Sequence, residues 1–504
     1  MRKRLVALAA LAFVSRLPQL LSPHLLVDGD ESVLGLMAKH FAQHGEFPLF
    51  FWGQRYGLAT VEAGAAAVAF RVAGVGPVPL KIAMLALWTI GVLCFFAALA
   101  RTIGERAAFW SAALLILMPA WAVWSMKARG GYLTAFAAMS LLMWILSGGA
   151  RASWRTWPAA GLATALIYLA QPIWLPGALA IAAAALIERR RPSSAALFAT
   201  TALAPIAMVK LWVASLPETW AGPPLGNPSI WGSRIRAWQQ LYTNLSGSYY
   251  LTTAIDPPGP ATRGLAAAWC GAIVLLVAVQ FFRFVARRFN RVSHVLFAAV
   301  WCTLLANWFL LFARDGRYLL PLSALLVALA SVDAADLLPR RAAVGVTAAM
   351  LVAGAVSMAE FRSFSFLWTN APGGLSEAKR LQLVINSLTS RGATHAFSMN
   401  GLLDTQLIFY SDERVVARWA TRTDRHPEYA DAVNRALARG EPIGVVGYTN
   451  TSGAPGCWDV PICTGDIEHL ASDPERIHIV DGKYFVYVGA DRSLLERLRF
   501  ELPE

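Results

Sequence analysis

Residues 80–100 read LKIAMLALWTIGVLCFFAALA, and Arg101 and Arg106 follow. A bilayer core about 30 Å thick is crossed by a helix of about 20 predominantly apolar residues, and this run supplies them without a break. Similar runs recur at 5–22, 107–125, 131–149, 157–172, 174–187, 193–215, 264–282, 293–312, 318–337 and 342–360. Together they predict a polytopic α-helical membrane protein with about eleven transmembrane helices. Runs 157–172 and 174–187 are short, and Gln171-Pro172 and Pro176-Gly177 also allow one long broken segment. All are expected as helices, because lipid offers the backbone polar groups no other partner.

Composition points the same way. Of 504 residues, 57% are hydrophobic and 15% charged, with 19 Trp; an ordinary soluble domain is about 25% charged. The net charge of +13 would suggest nucleic acid in a soluble protein. Here the excess Arg falls in short clusters between apolar runs, so no nucleic-acid partner is read. The basic N-terminus Met1–Arg4 and the apolar Leu5–Val14 resemble a signal peptide, but no small-x-small cleavage site follows. The segment reads as an uncleaved first span.

The basic residues set the orientation. With the N-terminus inside, the short inner gaps hold Arg101 and Arg106, then Arg151 and Arg155, then Arg189, Arg190 and Arg191, then Arg283, Arg287, Arg288 and Arg291, and last Arg340 and Arg341. Every strongly basic short loop is then cytoplasmic, as membrane insertion favours. The expected location is the cytoplasmic (inner) membrane, with the C-terminus outside.

The predicted domains are a transmembrane part, 1–360, with outside loops 23–79 and 216–263, and a soluble tail, 361–504. In the tail, β-like runs (Thr394–Ser398, Arg414–Ala417, Ile443–Tyr448, Arg476–Val480, Tyr484–Val488) alternate with helix-like ones (Ser376–Ser390, Leu402–Tyr410, Pro427–Arg439). Asp481-Gly482 is a hairpin signal. This predicts a small α/β extracytoplasmic domain. The chain shows no internal repeat and no low-complexity tract. Cys94, Cys270 and Cys302 fall inside predicted helices and read as packing residues. Cys457 and Cys463 fall in the tail, where the compartment permits a disulfide; the alternative is a pair of free thiols. Their spacing is not a metal signature.

Chemistry concentrates in three outside segments. Asp28-Gly29-Asp30-Glu31 places three carboxylates at the bilayer edge. A structural reading has Asp30 capping a short helix that begins at Glu31, which leaves Asp28 without a role. The same loop continues through Phe47–Gly57, an aromatic segment suited to the headgroup layer, with Arg55 and Tyr56 as polar tips. Lys127-Ala128-Arg129-Gly130-Gly131-Tyr132 forms an outside turn. Cations there oppose the positive-inside trend, so an anionic partner or headgroup anchoring must account for them. The two glycines are expected to let a ligand approach the backbone. Arg314-Asp315-Gly316-Arg317-Tyr318 repeats the pattern, with an Arg–Asp pair as the plainer alternative.

The acidic motif, the Arg129-x-x-Tyr132 turn and Arg317-Tyr318-Leu319-Leu320-Pro321, in this order and on this side, resemble the GT-C superfamily of membrane glycosyltransferases. Within it the chain is most similar to the protein O-mannosyltransferases and bacterial lipid A aminoarabinose transferases. The resemblance covers many spans, a long first loop and a soluble C-terminal domain. It implies a polyprenyl-phosphate sugar donor, an acceptor glycan, lipid or protein, membrane lipids as partners, and direct displacement with inversion. It implies an Asp of the acidic motif as general base, matched by Asp30-Glu31 with Asp28 added. It also implies basic and aromatic residues on the donor phosphate: Arg129, Lys127, Arg55, Tyr56, Tyr132, Arg317 and Tyr318. No cofactor is firmly implied. Asp28-Gly29-Asp30 has the spelling of a metal-binding D-x-D, but it lies outside, where nucleotide sugars are scarce, and a divalent metal is unsupported.

The physical logic is independent of the resemblance. Outside the cytoplasm an activated sugar arrives on a lipid; arginines stabilise the leaving phosphate and a carboxylate takes the acceptor's proton. A transporter or flippase, a non-catalytic envelope-assembly scaffold and a ligase moving a whole glycan remain alternatives. A transporter keeps its ionisable groups inside the spans, where Lys210 is one of few candidates.

Overall fold

The computed structural model describes residues 1–148, 154–216, 241–242, 244–245, 259–286, 290–310, 316–360, 375–419, 425–449 and 475–503. Helices α1 (Arg2–Val14), α2 (Leu17–Leu20), α3 (Gly29–His44), α4 (Thr60–Ala73), α5 (Pro77–Ile103), α6 (Glu105–Ile116), α7 (Pro119–Trp124), α8 (Tyr132–Leu146), α9 (Thr156–Ala170), α10 (Leu175–Arg189) and α11 (Pro192–Val213) make up the first half. After them come α12 (Pro260–Val285), α13 (Arg291–Leu310), α14 (Leu320–Leu337) and α15 (Arg340–Glu360).

Among the described residues, helices occupy each apolar run. Six helical segments, Pro77–Ile103, Pro172–Arg189, Pro192–Val213, Pro260–Val285, Arg317–Leu337 and Arg340–Glu360, are long and apolar enough to cross a membrane; Tyr132–Leu146, Thr156–Ala170 and Arg291–Asn307 are apolar but shorter. A 3-10 turn, Pro172–Trp174, divides α9 from α10, so this stretch is two helices.

The first and third runs are broken. Pro119 has no N–H to give the preceding turn, and α6 ends at Ile116 before α7 begins. The chain also turns at Ser15-Arg16 between α1 and α2. Arg16 fills both gaps: fully buried, it donates to Ile116 O at 2.7 Å, Trp121 O at 2.9 Å and Ser125 Oγ at 3.0 Å. Its guanidinium lies 4.7 Å from the centre of the Trp88 ring. Freed carbonyls and a buried cation satisfy each other, which either alone would lack. Lys210, the expected buried charge, is instead exposed, 5.7 Å from the Tyr168 ring. The pair Arg283–Asp333, at 3.1 Å, is buried between α12 and α14.

The tail is the expected α/β unit, with α16 (Glu377–Thr389), α17 (Leu403–Tyr410), α18 (Pro427–Ala438) and α19 (Arg492–Arg497). Strands β1 (His395–Ser398), β2 (Val416–Trp419), β3 (Ile443–Tyr448), β4 (Ile477–Val480) and β5 (Tyr484–Val488) form one sheet in the order β2-β1-β3-β5-β4. The β2-β1-β3 part is parallel, and β4 and β5 are an antiparallel hairpin. Asp481 and Gly482 open the three-residue connection 481–483 with φ of 50° and 64°, the left-handed backbone that tight hairpin connections favour.

This unit is fastened to α3. The Thr405 hydroxyl donates to Gly29 O at 3.0 Å, Gln406 Nε2 to Val27 O at 3.1 Å, and Val27 N–H to the Tyr410 hydroxyl at 2.9 Å. Gly29 and Gly35 lie so close to Leu402 and Phe409 that a Cβ at either would overlap them. The acidic motif at the start of α3 is thereby wedged between the membrane part and the tail.

Candidate active site

Helix α3 begins at the acidic motif, but not as the sequence suggests. Asp28, rather than Asp30, is the N-cap: its Oδ1 accepts from Glu31 N at 2.9 Å, and the Glu31 carboxylate accepts from Asp28 N at 3.1 Å. That reciprocal pair is a capping box, and it starts a helix of 16 residues, not a short one. Asp28 and Glu31 are thus committed to the helix start, while Asp30 projects from its first turn.

Each acid has its own cations. Glu31 is 1% exposed and accepts from Lys81 Nζ at 2.5 Å, Lys127 Nζ at 3.1 Å and Ala128 N at 2.9 Å. Asp28 meets Lys127 Nζ at 2.5 Å and Arg129 Nη2 at 3.7 Å. Asp30 meets Arg129 Nη2 at 2.6 Å and Arg425 Nη2 at 2.8 Å. Its side chain is 18% exposed against 13% for Asp28 and 1% for Glu31, so Asp30 is the acid an incoming molecule meets first. Burial pushes both Asp carboxyls upward, but Lys127 and Arg129 beside Asp28, and Arg129 and Arg425 beside Asp30, outweigh it and hold both below the ordinary carboxylate value. Both are carboxylates at neutral pH.

Four of the seven expected phosphate residues converge here. Arg129 lies on Asp30. Arg317, in the turn Gly316–Leu319, sits 5.1 Å over the Tyr318 ring, and its charge helps to lower the Asp30 carboxyl. The Tyr56 phenol is raised by burial and by Tyr318, against the opposing pull of Arg317 and Arg425, which places Tyr56 and Tyr318 in the same cluster. Lys127 is in the cluster but spent on the helix-start acids, and the other two are engaged elsewhere. Lys127, 3% exposed, is turned onto Asp28 and Glu31; Arg55 Nη2 donates to Leu216 O at 3.0 Å; Tyr132 packs 4.8 Å from Trp124. Arg314, Asp315, Cys457 and Cys463 lie outside the described residues.

Gly130 and Gly131 make room for protein, not for a ligand. Gly131 has φ of +82°, and a side chain there would overlap the Ala170 carbonyl; at Gly130 a Cβ would stand 3.1 Å from Gly57 O. The turn carrying Arg129 is therefore pressed onto α9 and the loop that holds Phe51 and Gly57.

Several site residues escape the sequence reading. Arg425 comes from the tail, 395 residues from Asp30, and sits 5.2 Å from the Phe51 ring centre; no local pattern around it announces a partner so distant. Lys81 had a signal, a lone cation in the opening run quoted above. Glu62, fully buried on α4, accepts from Thr134 N at 3.0 Å and Thr134 Oγ1 at 2.7 Å. Burial pushes its carboxyl up to about 7. Among the described residues, His40, Glu46 and His426 form a group able to hold a metal, with ligand atoms all within 4.8 Å of one another.

No protein-family model matches the chain, and no curated protein matches it. Solved structures do. The chain superposes on ArnT from Cupriavidus metallidurans bound to undecaprenyl phosphate with a TM-score of 0.59 and 15% identity, over 97% of this chain and 98% of that one. ArnT is a lipid A aminoarabinose transferase of the GT-C type. This chain has the GT-C fold. The likeness extends over 97% of the chain, tail included. Two more GT-C structures match more loosely. The oligosaccharyltransferase of Archaeoglobus fulgidus gives a TM-score of 0.46 at 12% identity, over 88% of this chain and 69% of that one. The arabinofuranosyltransferase AftD from Mycobacteria gives 0.45 at 15%, over 97% and 40%.

The Asp30–Arg425 pair makes a pH prediction. A carboxyl whose pKa is lowered stays ionised until pH falls through that lowered value. Activity that needs the Asp30 carboxylate is therefore retained at pH 5, with its acid limb below the ordinary Asp value near 3.9. Arg425→Ala removes one of the cations that lower this carboxyl, with Arg129 and Arg317, and moves the limb upward. Rate–pH profiles of the two proteins check this; superimposable acid limbs would disconnect Arg425 from Asp30.

Proposed function

We propose that this chain is a membrane glycosyltransferase that moves a sugar from polyprenyl phosphate to a glycan, lipid or protein acceptor on the outer face of the cytoplasmic membrane. One observation carries the reading: Lys81, Lys127, Arg129, Arg317 and Arg425, five cations, surround Asp28, Asp30 and Glu31, three carboxylates. A site so basic at the foot of the first outside loop suits a phosphate ester beside one ionised base. ArnT, of like fold, binds undecaprenyl phosphate, and we extend that donor class to this chain.

In this mechanism Asp30 accepts the proton of the acceptor hydroxyl or amine as its O or N attacks C1. The C1–O bond to phosphate breaks, and the electron pair leaves with the phosphate. Arg129, Arg317 and Arg425 stabilise that charge in a site largely closed to water. A single displacement inverts the sugar carbon. Asp28, Glu31, Lys81 and Lys127 hold α3 and the 127–132 turn in register. The reading includes about eleven crossings, an inside N-terminus, and residues 1–360 and 361–504 as membrane and outside domains. A reporter active only in the cytoplasm, fused after Glu504, is expected to stay silent; a bright signal contradicts the orientation.

The donor is tested directly. Protein purified with native lipids is expected to carry a polyprenyl-phosphate sugar detectable by mass spectrometry. Arg129→Ala is expected to weaken donor binding by about 10- to 100-fold, the scale of a lost charge-assisted bond. Arg129→Lys recovers only part, lacking the two-pronged donor. Unchanged affinity in both variants would leave Arg129 as a headgroup anchor.

A further inference from the structure

We propose a second site, a zinc-type divalent metal site formed by His40, Glu46 and His426, that clamps the tail onto the first outside loop. It lies on the last turns of α3, beyond Asp30, where the tail returns across that helix. His40 Nδ1 is 2.8 Å from a Glu46 carboxylate oxygen, and all three ligand atoms lie within 4.8 Å of one another. Zinc bonds of about 2.0–2.2 Å to His nitrogen and carboxylate oxygen need the outermost pair to close by only about 1.5 Å, a side-chain rotation.

Three features suggest that the arrangement is built rather than accidental. First, His40 is already oriented as a ligand. Its Nε2 lies 2.8 Å from Glu413 Oε1 and 3.0 Å from the Tyr429 hydroxyl. Glu413 is itself held by Lys39 Nζ at 2.5 Å. Glu413 on the far nitrogen orients the ring, while the near nitrogen donates to Glu46, so a metal joining His40 and Glu46 takes the place of that proton. Second, His426 Nδ1 is buried with no hydrogen-bond partner, an orphan that folded proteins generally avoid. The ring packs at a tilt against Trp52, 4.0 Å away, and Tyr429, 4.8 Å away. Third, Asp412 and Glu413 both take left-handed backbone, with φ of 54° and 65°. Non-glycine residues enter that region only where the surroundings enforce it, and here the result is Glu413 on His40.

Two histidines and one carboxylate are a donor set that zinc prefers, leaving one position for water. The consequence is mechanical. His426 follows Arg425, which holds Asp30 at 2.8 Å. A metal joining His426 to α3 at both His40 and the Glu46 corner fixes the segment that carries Arg425. It adds a metal-ligand link between tail and loop beside the ion pairs Arg425–Asp30 and Lys39–Glu413.

The test uses tag-free, full-length protein in nanodiscs, stripped with chelator and titrated with zinc alone. One equivalent is expected to bind saturably and to slow hydrogen exchange over 425–438 without sugar donor present. X-ray absorption at the zinc edge is expected to show two imidazole nitrogens. Glu46→Gln and His426→Gln are expected to lower affinity at least about 100-fold, and Glu413→Gln by about 10- to 100-fold, the usual cost of losing an outer carboxylate. His395→Ala, on the distant strand β1, leaves binding intact. Glu46 is a surface side chain, 48% exposed, so its variant folds whatever the others do. Wild-type protein that takes up no zinc, or a Glu46→Gln variant that binds as tightly as wild type, overturns the proposal. Because the readout needs no sugar transfer, it stands or falls apart from the function proposed above.

Discussion

Asp30→Asn is expected to leave a folded protein that still binds the lipid donor and transfers sugar at least about a hundredfold more slowly, the usual scale for loss of an acid–base group. The structure separates this from a folding defect. Asp28, not Asp30, makes the cap of α3, so Asn at position 30 touches no backbone hydrogen bond of the helix start. What it removes is the charge between Arg129 and Arg425, and with it the proton acceptor. Arg129 and Arg425 are then freer to hold phosphate, so donor affinity is expected to hold or rise while turnover falls. Initial rates with saturating donor, alongside donor binding, check both halves. Asp28→Asn made in parallel keeps the cap, since Asn also accepts from the Glu31 amide, and is expected to cost much less turnover. Full activity in Asp30→Asn with a large loss in Asp28→Asn would move the base two residues upstream. Full activity in both would end the base-catalysis reading and favour a transporter or scaffold.

The sequence carried the architecture because lipid leaves few choices. Apolar runs of about 20 residues are expected to be helical there, and helices occupy each of them here, with breaks in the first and third. The tail was legible for a different reason: its strands alternate with helices under strong turn signals such as Asp481-Gly482. Where the reading failed, the missing information was long-range. Nothing near Pro119 says that Arg16 will satisfy the carbonyls its break sets free. Asp28 and Asp30 are equally good caps by composition, and which one caps depends on where α3 begins. That start is fixed by Leu402 and Thr405 packing on Gly29 from the tail. The acids and Arg129 could be placed in one site because the basic loops assign the ends of their apolar runs to the same side. Arg425 and His426 could not, since they reach the site only through the docking of a separate domain. Gly130-Gly131 misled for a related reason: small residues permit close approach by anything, and here the approaching group is the Ala170 carbonyl.

Glu31→Gln is expected to damage folding rather than chemistry, and more severely than any other change in the motif. Glu31 is 1% exposed and holds two lysines, Lys81 on α5 and Lys127 in the 127–132 turn, together with the Ala128 amide and the Asp28 amide. Removing one partner of a buried ionic group strands the others and costs about 3–5 kcal/mol. Here Gln keeps the shape but leaves Lys81 and Lys127 buried with only Asp28 to share. Reduced yield, a lower thermal midpoint and easier proteolysis of the first outside loop are the expected outcome, with whatever protein remains folded still turning over. The companion experiment removes the stranded charge as well: Glu31→Gln with Lys81→Met replaces the pair by a neutral, largely apolar one of similar volume, which buried ion pairs often tolerate. The double variant is expected to recover much of the lost thermal midpoint while remaining active. If instead Glu31→Gln is as stable as wild type but transfers no sugar, Glu31 is part of the chemistry and the division of labour drawn here, with Asp30 alone as base, is wrong.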